Sequence, residues 1–277
     1  MAVFDNHFHL RADGLGVEAA RRFEKAGGTA LMLTHSPYPD LPIRGAEDYE
    51  AAFARTLALA GSVRRETRLR VFVALGPYPV DLLPLREAVG LEAGVEVLRK
   101  GMAIAARHVA AGEAVALGEV GRPHFPVDAD VWRASNEIMA CAMETARDAG
   151  CAVILHTEDP TPETFREFAA MADRAGLPRG KVVKHHSTPF TRSGETQGVV
   201  PSLLAKEELV AEAVKGGGPF FLETDYMDDP RRPGAVLGPA TVPKKTKTWL
   251  GSGLLTEETA AAIHKDLPER TYGIRVE

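Results

Sequence analysis

The chain reads as α/β, a (β/α)8 TIM barrel, on three observations. Short apolar runs alternate with stretches of helical periodicity along nearly the whole length. Those runs are continuously apolar rather than alternating, as expected of strands in a parallel sheet covered by helices. With 277 residues, 45% of them hydrophobic, one barrel of about 250 residues accounts for the chain. A single domain over residues 1–277 is therefore expected, with distortion around strands six and seven, where the pattern thins.

The first apolar run ends in Asp5-Asn6-His7-Phe8-His9-Leu10. Val17 to Ala26 has helical spacing and stops at Gly27-Gly28, before the apolar strand Thr29 to Thr34. Glu47 to Gly61 reads as helix, Leu69 to Leu75 as strand and Leu91 to Ala111 as a long helix. Strand Ala114 to Leu117, helix Val131 to Ala149, strand Ala152 to Leu155, helix Pro162 to Ala175 and strand Lys181 to Lys184 continue the alternation. Thr188 to Gln197 is too polar and short for a full helix, and Gly198 to Pro201 is a weak seventh strand. Helix Leu203 to Val214 and strand Pro219 to Leu222 complete the count, before a long Pro-, Gly- and base-rich loop, Asp228 to Lys247, and a terminal helix from Glu257 to Lys265.

A net charge of -5 argues against a surface built throughout for nucleic acid, so an anionic substrate has to be held locally. Cys141 and Cys151 lack Cys-x-x-Cys spacing and read as thiols of a reducing compartment. The opening Met1-Ala2-Val3-Phe4-Asp5 has no basic segment leading into an apolar one, and no uncharged run reaches membrane-spanning length. The expectation is a cytoplasmic protein with no membrane partner.

The nine histidines carry most of the functional information. His7 and His9 follow the first strand, His35 the second, His124 lies past the fourth, His156 ends the fifth and His185-His186 the sixth; His108 and His264 fall in helices. Strand C-termini of a (β/α)8 barrel converge on the face where active sites are built, so seven histidines are expected at one mouth. Glu119 and Asp225 close the fourth and eighth strands there. Any one of these residues is as readily a strand cap as a ligand, but their joint placement selects the metal reading. Imidazoles and carboxylates without thiolate suit one or two divalent ions, zinc favoured, with manganese, iron, nickel or magnesium as alternatives.

His7-Phe8-His9, Gly118-Glu119-Val120-Gly121, Leu155-His156-Thr157, His185-His186-Ser187 and Glu223-Thr224-Asp225 together resemble the ordered motifs of TatD-type metal-dependent hydrolases of the amidohydrolase superfamily. Gly14-Leu15-Gly16-Val17-Glu18-Ala19-Ala20 and Gly121-Arg122-Pro123-His124 are more similar still to the archaeal TatD-related group. The resemblance implies that His7, His9 and Asp225 hold one metal, that Glu119 bridges two, and that His156 with a sixth-strand histidine holds the second. Asp225 would also accept the proton of the attacking water, leaving a metal-bound hydroxide as nucleophile.

Three departures bear on this reading. The sixth-strand motif is a doubled histidine; adjacent strand residues point oppositely, so one faces the metals, with His186 favoured and His185 the alternative. Gly76-Pro77-Tyr78-Pro79 stands where the nucleases show a histidine, and Glu158 where they tend to carry arginine. Both changes remove groups that could hold a phosphodiester. The expected function is hydrolysis of a phosphoester, phosphodiesterase- or deoxyribonuclease-like, with a small-molecule phosphoester or a nucleic acid as substrate. A carboxylic ester, lactone or amide is the alternative, since an activated water attacks acyl carbon equally well. A non-enzymatic metal-binding protein comes third. Arg231-Arg232 and Lys244-Lys245 to Lys247 are candidates for drawing in a phosphate, and Lys184, His35 and His124 are weaker site candidates.

Overall fold

A computed structural model describes residues 1–277. Eight parallel strands follow one another around the sheet in sequence order: β1 (Phe4–Phe8), β2 (Ala30–Thr34), β3 (Arg70–Leu75), β4 (Ala116–Gly121), β5 (Ala152–His156), β6 (Val182–Lys184), β7 (Val200–Leu204) and β8 (Phe221–Glu223). Phe8 bridges in parallel to Tyr226 beyond β8, which closes the ring. The expected (β/α)8 barrel is the fold.

The helices are α1 (Val17–Lys25), α2 (Asp48–Glu66), α3 (Leu82–Val89), α4 (Leu91–Ala110), α5 (Ala129–Asp148), α6 (Pro162–Ala175), the single turn α7 (Ser193–Thr196), α8 (Glu207–Gly216), α9 (Thr241–Ser252), α10 (Glu257–Ala261) and α11 (Leu267–Tyr272), with a π segment at Ala262–Asp266. The thin region has its physical counterpart: β6 and β8 have three residues each, and α7 is one turn.

Several elements differ from expectation. Leu203 and Leu204 end β7 rather than opening a helix, because Leu203 pairs with Leu222 of β8. The loop expected to reach Lys247 ends earlier, where α9 begins at Thr241; Val242, Thr246 and Trp249 form a buried face that the flanking lysines mask in the sequence. Leu82–Val89 forms an additional helix that carries Pro84 in its first turn, and β4 runs to Gly121, past the expected end at Leu117. No helix is long and apolar enough to cross a membrane.

The barrel interior holds Phe4, Met32, Ala74, Ala116, Ile154, Val183 and Phe221, plugged from below by Leu267 and Tyr272 of α11. A larger apolar layer lies between strands and helices. Small side chains at Ala30, Ala74, Ala116 and Ala152 make room for the rings of Phe4 and Phe221.

Candidate metal centre

Main-chain irregularities aim the functional side chains. The β4–β5 register shifts between Leu117 and Val120, a bulge that turns Glu119 into the mouth. Gly121 has φ 144, and a Cβ there would stand 2.2 Å from the His156 carbonyl oxygen; the next amide, of Arg122, donates to that same oxygen at 3.0 Å. At β8, the Thr224 amide and hydroxyl donate to the buried Asp5 carboxylate at 3.0 and 2.8 Å, fixing the turn from which Asp225, φ 47, projects.

Glu119 is the hub. His7 Nε2 stands 2.5 Å and His9 Nε2 3.3 Å from Oε1, while His156 Nδ1 stands 3.1 Å from Oε2. His185 Nε2 is 3.0 Å from His156 Nδ1 and 3.7 Å from Glu119 Oε1. Asp225 Oδ1 faces His9 Nε2 at 3.6 Å. Three groups of converging donor atoms result: His7, His9 and Asp225 in one, Glu119, His156 and His185 in another, and His7, His185 and Glu223 in a third that lies beneath them.

The doubled histidine is placed oppositely to expectation. His185, not His186, lies among the convergent donors; its side chain is 3% exposed and that of His186 45%. Strand alternation itself holds, but Val183 points into the barrel beside Phe4 and Ile154, so His185, two residues on, points inward as well. His186 follows in a turn with φ 48 and places Nδ1 3.1 Å from Asp225 Oδ2.

The other candidates separate as well. His124 lies over the site, with Nδ1 2.9 Å from His156 Nε2. His35 does not reach it: Nδ1 is 2.8 Å from Thr56 Oγ1 of α2, and the ring packs on Phe53. Lys184 is buried and donates to the Thr157 and His185 carbonyls, so it ties strand ends together. Glu158 is turned to the buried Arg122 guanidinium, and Lys245 lies against Glu207 and Trp249. The sequence assigned no role to Asp5, Arg122 or Glu223; the signal for two of them was position, Asp5 two residues before His7 on β1 and Glu223 at the end of β8, two residues before Asp225.

Burial drives imidazolium forms down, yet at His9 the carboxylates of Asp225 and Glu119 outweigh it and hold the ring up at about 10. Glu119, although burial opposes its charge, is held well below the usual carboxylate range by His185, His156 and His7. Burial, reinforced by His7, pushes His185 down to about 4, so it is neutral and its lone pair is available. Ring nitrogens standing 3.0 to 3.2 Å from one another around a buried carboxylate form an environment that favours positive charge. The residues fit divalent ions held by nitrogen and oxygen donors.

Above the donors opens a cleft of about 660 Å³. Tyr38, Leu41, Ile43 and Val236 give it apolar walls, and Arg231 and Arg232 stand at its edge, both paired to Asp229.

A parallel barrel with His, Glu and Asp donors converging at its C-terminal mouth defines a metal-dependent hydrolase. The chain belongs to the TatD related DNase family, whose pattern it matches over residues 4–273. It is 38% identical, over 100% of its own length and 98% of the relative's, to an uncharacterized protein of Methanocaldococcus jannaschii. Among solved structures, its fold is similar to that of a TatD homolog from Escherichia coli K12 (21% identity, TM-score 0.65, 98% of each chain). It is also similar to that of the E. coli phosphotriesterase homology protein complexed with phosphate in its active site (12% identity, TM-score 0.69, 98% of each chain).

Proposed function

We propose that this chain is a divalent-metal-dependent hydrolase of a small-molecule phosphoester, with zinc the favoured metal. The observation that carries the reading is Glu119, whose two oxygens face two different donor groups. His7, His9 and Asp225 would hold one ion and His156 and His185 a second, with Glu119 shared. Bound divalent ions supply a water of lowered pKa and a positive field for the oxygens of the reacting ester.

The protein's own groups then have distinct tasks. Asp225 keeps Oδ2 turned away from His9 toward His186 and the cleft, so it can accept a proton there while Oδ1 faces the donors. Arg11, Arg231 and Arg232 are the arginines that line the cleft and could meet a phosphoryl group there. The cleft volume falls within the range of small-ligand sites, about 300–1,000 Å³, and Tyr38, Leu41, Ile43 and Val236 give part of it apolar walls. Phosphate in the active site of the E. coli phosphotriesterase homology protein is in keeping with phosphoryl chemistry, while a lactonase from Deinococcus radiodurans with a similar fold keeps acyl transfer as the second reading.

Metal-reconstituted protein assayed in parallel on p-nitrophenyl phosphate, bis(p-nitrophenyl) phosphate, a single-stranded oligodeoxynucleotide and a lactone tests the reading. Turnover of either small phosphoester above that of the lactone and the oligonucleotide is expected. Faster lactone hydrolysis would replace phosphoryl with acyl transfer, and faster oligonucleotide cleavage would restore the nuclease reading.

A further inference from the structure

Beneath the donor cluster, a row of buried polar groups crosses the barrel interior. The Tyr272 hydroxyl of α11 donates to Asn6 Oδ1 at 2.7 Å, and Asn6 Nδ2 donates to Ser202 Oγ at 3.0 Å. Ser202 Oγ donates in turn to Glu223 Oε2. Glu223 Oε1 accepts the His186 amide at 2.7 Å and faces His185 Nδ1 at 3.4 Å, outside hydrogen-bond geometry but with no nearer partner for that nitrogen. Glu223, Asn6 and Ser202 are fully buried.

The direction of this chain is set by the chemistry of its members. An amide that accepts at Oδ1 donates at Nδ2, and a serine that accepts from it has only its own proton to pass on. Both Glu223 oxygens are thereby acceptors. His185 Nδ1 is buried with no other partner, and a ring nitrogen facing such an oxygen is favoured as the protonated one, which leaves the other nitrogen as a free lone pair. For His185 that free nitrogen is Nε2, the atom turned toward His156 and Glu119.

We infer that Glu223 is a positioning residue that locks His185 as its Nδ1-protonated tautomer, and that the chain from Tyr272 through Asn6 and Ser202 holds the carboxylate in place for this. The inference rests on the proposed ligand role of His185. His7, His185 and Glu223 also present three donor atoms within 4.8 Å, but a third ion there would compete with the acceptor duties of both Glu223 oxygens. The stacking of His7 on His185, centroids 4.0 Å apart, holds the plane of the His185 ring. Carboxylate partners of this kind fix ligand orientation and basicity in metal sites.

The test uses the whole chain, with ¹⁵N-labelled histidine and zinc as probe. In metal-free wild type, His185 is expected as a single Nδ1-protonated tautomer. Glu223→Gln should give a tautomer mixture and raise the zinc dissociation constant about 10- to 100-fold, with the bound zinc at saturation unchanged. Ser202→Ala leaves the carboxylate in place and should raise the constant by a smaller factor; it also serves if Glu223→Gln does not fold. Loss of a zinc equivalent at saturation in Glu223→Gln would make Glu223 a ligand and overturn the inference. So would an unaltered tautomer and affinity in both variants. Wild type that binds no zinc would defeat the metal reading instead, while the tautomer measurement would still decide the role of Glu223.

Discussion

His186 Nδ1 stands 3.1 Å from Asp225 Oδ2, and both residues hold left-handed backbone, with φ 48 and 47. Two turns at neighbouring strand ends thus bring an exposed imidazole to the outer oxygen of the carboxylate that faces His9 with its inner one. His186 touches the proposed base and stays out of the donor cluster. His185→Ala is therefore expected to lose one bound metal and nearly all activity. His186→Ala should retain the metal while lowering turnover. Metal content by elemental analysis, beside hydrolysis rates, separates them, and metal loss confined to His186→Ala would reverse the assignment.

The same turn makes a stability prediction. A side chain in the left-handed region costs roughly 1–2 kcal/mol that glycine avoids, so His186→Gly should be more stable than His186→Ala by about 1 kcal/mol. Urea midpoints of the two variants, both lacking the imidazole, measure this directly. Equal midpoints would mean that the turn relaxes once the His186–Asp225 contact is gone.

Asp225→Asn keeps the size of the side chain and removes its basicity. Glu119, His156 and His185 converge without it, so an ion at that group should be retained while turnover falls by at least about a hundredfold, the low end for a positioned general base. Retained turnover would move the proton acceptor elsewhere.

Much of this architecture was legible because its signals are local. Apolar runs, glycine stops and histidines at strand ends placed the barrel and brought His7, His9, Glu119, His156 and Asp225 to one mouth. What stayed hidden depended on a reference face or on distant partners. The alternation of His185 and His186 was readable, but which face Val183 occupies is decided by its packing against Phe4 and Ile154. Asp5 meets Thr224 across 219 positions and Asn6 meets Ser202 across 196, and no local pattern announces such pairs. Lysines obscured α9 because its buried face carries only Val242, Pro243, Thr246 and Trp249.

Acid stability should depend on His264, remote from the donor cluster. Its Nδ1 accepts the Phe4 amide at 3.1 Å and its Nε2 meets Thr246 Oγ1 at 2.9 Å; burial holds the ring down at about 4. The unfolded chain, with an ordinary value of 6.5, binds the proton first. The stabilisation is thus complete above pH 6.5 and is lost as pH falls toward 4. In chelator, the wild-type melting temperature should drop more steeply over this window than that of His264→Gln, whose amide can make both contacts without titrating. Parallel slopes would show that the imidazole does not limit acid stability.

Arg122 offers the sharpest test of coupling between packing and site. Its side chain is 1% exposed, lies 4.1 Å over the Trp132 ring, and donates to Glu158, Glu167 and Asn136. Glu158 and Glu167 are themselves partly hydrated, 30% and 42% exposed, so either carboxylate can be lost while the other still neutralises the guanidinium. Glu158→Gln and Glu167→Gln should each cost about 1 kcal/mol, within the range for an ordinary hydrogen bond, because each amide can still accept from the guanidinium. Together they strand a buried charge, and the pair should cost about 3–5 kcal/mol, more than the sum. Because the Arg122 amide also holds the His156 carbonyl, the double variant should release metal from the His156 and His185 side faster than either single one. Urea unfolding of the three variants with chelator-driven metal release measures both effects. Additive costs would mean that water reaches Arg122, and coupled costs with unaltered metal release would mean that the His156 turn is held without it.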